Sequence, residues 1–101
     1  MCILEEIKAE RVRQDAKWGE QNHPITLLPA MYAESVANDL RQKCDEAFEC
    51  GEGSWEDILL EEVYEALEQA AKGNIEKTRE ELIQVAAVVV AMIECVDRNK
   101  T

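Results

Sequence analysis

Apolar residues recur at helical spacing in four stretches of the chain, and the breaks between them fall at glycine, proline and capping residues. Ile3, Leu4, Ile7 and Val12, set among acids and bases, predict an amphipathic helix running to about Lys17. Trp18-Gly19-Glu20-Gln21-Asn22-His23-Pro24 then has the makings of a loop, which Pro29 extends. From Met31 to Cys50 there is no glycine or proline, and Met31, Val36, Leu40, Ala47 and Phe48 supply the stripe of a second helix that ends at Gly51-Glu52-Gly53. Ser54 followed by Asp57 reads as an N-capping pair for a third helix carrying Trp55, Ile58, Leu59, Val63, Ala66, Leu67 and Ala70, with Gly73 as its stop. Asn74 can cap a fourth helix from Ile75 to about Asp97. Its middle, Leu82 to Ile93, is apolar on nearly every side apart from Gln84, so it should be covered all round. Val88-Val89-Val90 favours a strand locally, but the segment is too long for one and has alanines through it. The prediction is a single all-α domain over residues 1–101, built as a four-helix bundle with short connections.

Charge narrows what such a domain can bind. Twenty-two acidic residues against 11 basic ones give a net charge of −11, which disfavours a nucleic acid polymer as partner. A small anionic ligand remains open to it if cations bridge the two. Cysteines at 2, 44, 50 and 95, with a lone histidine, match no zinc-site spacing and read as thiols of a reducing compartment. The start Met1-Cys2-Ile3-Leu4-Glu5-Glu6 lacks the basic and apolar regions of a signal peptide, and the apolar run 85–93 is too short to span a bilayer. A cytoplasmic location without membrane attachment is the expectation. At this length a monomer is marginal, so a homodimer or homotetramer is expected.

The candidate chemistry lies in Leu60-Glu61-Glu62-Val63-Tyr64-Glu65 on the third helix and Arg79-Glu80-Glu81-Leu82-Ile83-Gln84 on the fourth. At roughly 100° per residue, Glu61, Glu62 and Glu65 fall within an arc of about 100°. Glu81 and Gln84 are also one turn apart, so an antiparallel pairing across Gly73 would bring oxygens of both helices together. Mg²⁺ takes oxygen ligands and keeps waters that a phosphate can replace, and it would turn the mutual repulsion of these acids into a binding site. Taken without context, such a run also fits a solvated helix face.

Glu61-Glu62-x-x-Glu65 on one helix with Glu81 on the next resembles the two-part signature of the MazG-like all-alpha nucleoside triphosphate pyrophosphohydrolases, Glu-Glu-x-x-Glu followed by Glu-x-x-Asp. Gln84 stands where that family has aspartate, which removes one negative charge and should weaken metal binding. The stretch from Glu10 to Pro24, with Arg13-Gln14-Asp15 and Lys17-Trp18-Gly19-Glu20-Gln21-Asn22-His23-Pro24, also looks like that of phage and bacterial members.

The resemblance implies a MazG-like fold and Mg²⁺-dependent hydrolysis, with Mn²⁺ as a substitute, of a nucleoside triphosphate between its α and β phosphates to a monophosphate and pyrophosphate. Carried over by position, Glu62, Glu65 and Glu81 are the expected metal ligands with Gln84 in the fourth place, and Glu61 is the water-orienting base or a second-metal ligand. Lys17, Arg41, Lys43 and Arg79 are candidates to meet phosphate oxygens, or ordinary surface charge. Trp18 could stack on a base and Asn22 or His23 read its edge, or Trp18 could simply plug the bundle end. His23 beside Pro24 reads first as a turn residue, and Tyr64 and Trp55 as packing. Two alternatives stand beside this function. One is a non-catalytic helical module for dimerisation or protein interaction, which Gln84 favours; the other is the same fold acting on phosphoribosyl-ATP or a modified deoxynucleotide.

Overall fold

A computed structural model describes residues 2–100. Four helices follow in order, α1 (Ile3–Trp18), α2 (Ala30–Glu49), α3 (Trp55–Ala71) and α4 (Ile75–Arg98), with no strand among the described residues. The all-helical, four-helix architecture read from the sequence is therefore present, with each boundary within a residue or so of its predicted place.

The local signals act as their chemistry dictates. Ser54 and Asp57 form a reciprocal capping box: the Ser54 hydroxyl accepts from the Asp57 amide at 3.3 Å, and the Ser54 amide donates to Asp57 Oδ2 at 3.0 Å. At the other end of α3, Gly73 takes φ 77°, the left-handed conformation that lets the Asn74 amide reach back to the Gln69 carbonyl at 3.0 Å. Asn74 then caps α4 by accepting from the Lys77 amide at 3.2 Å, and its carbonyl accepts from the Thr78 hydroxyl at 2.7 Å. The three-residue connection Lys72–Asn74 folds α3 and α4 into an antiparallel hairpin.

Packing runs in one layer, α2 against α3 and α3 against α4, so that α3 is the middle helix. Buried Ala33, Ala37 and Cys44 on α2 and Ala66 on α3 are all small, which lets the helix axes approach closely. Across the α2–α3 contact, Lys72 Nζ lies 2.6 Å from Glu68 and 3.6 Å from Glu34, giving the buried Glu68 carboxylate the counter-charge its burial requires.

α1 lies along none of the other helices and has no buried residue. Arg11–Asp15 and Arg13–Glu10 pairs at 2.8 and 2.7 Å decorate its own surface. The chain is flat, with extents of 40 × 37 × 19 Å and a radius of gyration of 15.7 Å. A compact chain of this length would have about 13 Å. The expectation that α4 is covered on all sides is corrected: α3 packs on one side, and Ile75, Leu82, Ile83, Val89 and Val96 stay exposed. No helix of the described residues is long and apolar enough to cross a membrane.

Candidate metal centre

The α3–α4 hairpin brings Glu62 and Glu65 of α3 against Glu81 of α4. One carboxylate oxygen of each lies within 4.8 Å of the others. All three residues are half-buried, and Oε2 of Glu62 and Oε2 of Glu81 are fully shielded with no hydrogen-bond partner. Two buried carboxylate oxygens left without a donor are costly on their own. A bound cation would remove the cost, as would a proton on one of the carboxylates.

The electrostatics agree with the geometry. Burial first, then the negative charges of Glu65, Glu81 and Glu61, hold the Glu62 carboxyl above its ordinary range. Burial first and then Glu65 do the same to Glu81, against a smaller lowering by Lys77. Arg41 reaches in from α2, its Nε 3.3 Å from Glu65 Oε1 while another guanidinium nitrogen donates to Asn38 Oδ1 at 2.8 Å. An all-oxygen, three-carboxylate donor set of this kind fits a hard divalent ion such as Mg²⁺.

The remaining site candidates fall in different places. Glu61 stands outside the three-oxygen group, beside the buried thiol of Cys44, whose pKa is pushed up to about 11 by burial and then by the Glu61 carboxylate. Gln84, one turn on from Glu81, is exposed. Lys17 and Trp18 at the end of α1 are exposed and stacked on each other, with Nζ 4.6 Å from the ring centroid. Asn22 donates to Glu20 at 3.4 Å, His23 pairs with Gln21 at 3.0 Å, and Lys43 is exposed on α2. Among the described residues, none of Lys17, Trp18, Asn22 and Lys43 shares a hydrogen bond or ion pair with the carboxylates.

Sequence reasoning did not find the groove beside the cluster. The loop after α1 folds Pro24, Ile25 and Thr26 over the α3–α4 turn and encloses about 420 Å³ against Ala70, Ile75, Thr78, Arg79 and Leu82. Thr78 and Leu82 flank Glu81 on α4, so this mostly apolar groove begins within a helical turn of the carboxylates, and Arg79 is its charged wall. The available signal was the pair of prolines bracketing Ile25 to Leu28, which predicts a loop but not the surface it lies on. No protein-family model, no curated protein and no solved structure matches the chain.

Proposed function

We propose that the chain is a Mg²⁺-dependent nucleoside triphosphate pyrophosphohydrolase of the MazG-like kind, adding water across the α–β anhydride to give a nucleoside monophosphate and pyrophosphate. The observation that carries this reading is the convergence of Glu62, Glu65 and Glu81, with two shielded oxygens that have no donor. These three residues would hold the ion, with exposed Gln84 as a neutral fourth position one turn along. When bound, Mg²⁺ supplies neutralisation of the triphosphate and a lowered pKa for coordinated water.

The chain's own groups divide the remaining work. Arg41, already beside Glu65, is placed to donate charge-assisted hydrogen bonds to phosphate oxygens that approach the cluster. Glu61, which stands outside the three-oxygen group but close enough for its charge to act on Glu62, is the carboxylate left to orient or deprotonate the attacking water. Arg79 and the groove beneath Pro24–Thr26 offer a largely apolar surface for the nucleoside end of the substrate. The four free thiols are in keeping with a cytoplasmic setting.

The test is pyrophosphate release from ribo- and deoxynucleoside triphosphates and phosphoribosyl-ATP, with Mg²⁺ or Mn²⁺ and with EDTA. Metal-dependent release that disappears in Glu62→Ala and Glu65→Ala, with helical content retained, is the expected result. No turnover of any nucleotide together with no Mg²⁺ binding by calorimetry would overturn it. That outcome would favour the non-catalytic interaction module, for which the exposed apolar face of α4 speaks.

A further inference from the structure

Asn38 lies well inside α2, on its exposed side. Asparagine is a poor residue there for the helix itself, because its side-chain amide competes with the backbone for hydrogen bonds. Packing gives no reason for it either, since Ala33, Ala37 and Cys44 form the buried face of the same helix. What the side chain does is accept a hydrogen bond at 2.8 Å from Nη1 of Arg41, one turn along.

Arg41, the cation at the edge of the carboxylate cluster, is thereby held at two points. Its Nε donates to Glu65 Oε1 at 3.3 Å across the α2–α3 contact, and its Nη1 donates to Asn38 Oδ1. The guanidinium is a rigid plane of donors, so two anchors fix its orientation. Among the described residues nothing accepts a hydrogen bond from Nη2, which leaves that end of the plane for an anion. The two anchors differ in charge. Glu65 offsets the positive charge of Arg41 and is itself an expected metal ligand, whereas the neutral Asn38 amide orients the guanidinium without neutralising it. On α1 the same spacing carries an acid, Glu10 with Arg13, and that pair serves only the helix surface.

We propose that Asn38 is a positioning residue, which holds the Arg41 guanidinium oriented at the carboxylate cluster while keeping its charge for a substrate phosphate. This rests on the phosphate role given to Arg41 above and names the group that presents that cation. When Glu65 turns to a divalent ion, Asn38 is the contact that Arg41 keeps. A side chain that weakens its own helix and orders a cation beside a candidate site is the kind of local conflict that functional sites retain.

The test compares the wild type, Asn38→Ala, Arg41→Ala and the double variant. Each is measured by thermal melting, by turnover of the nucleoside triphosphate the wild type cleaves fastest, and by calorimetric binding of that nucleotide's α,β-methylene analogue with Mg²⁺. Asn38→Ala should melt at or above the wild-type temperature, because alanine favours the helix. Its KM and its Kd for the analogue should each rise about threefold, the effect of ordering one long side chain only on binding, with kcat little changed. In the Arg41→Ala background the same substitution should change neither constant, because Asn38 acts only through the guanidinium. Unchanged KM and Kd in Asn38→Ala, or an equal rise with Arg41 already removed, overturns the proposal and leaves the hydrolase reading standing. A wild type that turns over no nucleoside triphosphate overturns both.

Discussion

Arg41 on α2 and Glu65 on α3 stand 3.3 Å apart, Nε to Oε1, so the carboxylate cluster of the α3–α4 hairpin already has a cation at its edge supplied by a third helix. If Arg41 serves phosphate and not the structure of the cluster, removing it separates two affinities. In Arg41→Ala, Mg²⁺ binding by calorimetry should be unchanged or tighter, because Glu65 is freed. KM for a nucleoside triphosphate should rise about tenfold, the worth of one charge-assisted hydrogen bond. A loss of Mg²⁺ affinity would show instead that Arg41 holds Glu65 in place.

The carboxyl pKa values of Glu62 and Glu81 are both raised above the ordinary 4.5, chiefly by burial. The folded chain therefore binds more protons at these groups than the unfolded chain does in the window above 4.5. Their contribution to stability is full below that value and is lost as pH rises through the raised folded values. In EDTA the melting temperature should accordingly be favoured at about pH 5 relative to about pH 7.5. Glu62→Gln should flatten that dependence, raise the melting temperature at the higher pH by a few degrees, and lose the rise that Mg²⁺ gives the wild type. A variant that melts lower in EDTA and still responds to Mg²⁺ would count against Glu62 as a ligand.

Cys44 is 6% exposed, and its thiol pKa is pushed up to about 11. At about pH 8 the reactive thiolate is therefore a negligible fraction there. A disulfide reagent should modify exposed Cys2 and Cys50 within minutes and reach Cys44 only when denaturant is added, as mass spectrometry of the labelled peptides would show. Labelling of Cys44 at the rate of Cys50 in buffer would mean that α2 opens away from α3.

Gly73 holds φ 77° between the two helices that carry the site. Gly73→Ala forces a side chain into the left-handed region at a cost of about 1–2 kcal/mol. In a chain of this size each kcal/mol lowers the melting temperature by about 4–8 °C. Gly53→Ala meets a different obstacle: its Cβ would lie 2.5 Å from the Phe48 ring. The contact includes Cγ at the base of the ring, so the whole side chain must swing, and urea unfolding should show a loss for this variant too.

The helices were legible in the sequence because their ends carry their own chemistry: Ser54 with Asp57, Gly73 and Asn74 act within a few residues of where they stand. Glu62, Glu65 and Glu81 were legible as one cluster because a three-residue turn leaves the hairpin few ways to pair. The orientation of Glu61 was not, since a residue on the flank of a helix faces α2 or α4 according to how the three helices cross, which no local pattern encodes. For α4, the apolar pattern led to an expectation of cover on every side that the fold does not supply, because a pattern does not encode how many neighbours a helix has and Ile75, Leu82, Ile83, Val89 and Val96 stay exposed. The α1 stripe likewise predicted a helix and was silent on where it docks.

The layer order α2–α3–α4 has a kinetic consequence. Each helix packs on the next one along the chain, so long loops need not close before stabilising contacts form, and folding should be fast, on the microsecond to millisecond scale of helical proteins with local contacts. Glu62 and Glu81 would come together early, within the first hairpin to form. A divalent ion that relieves their repulsion would then speed folding as well as slow unfolding, and stopped-flow refolding with and without Mg²⁺ would measure the two effects separately.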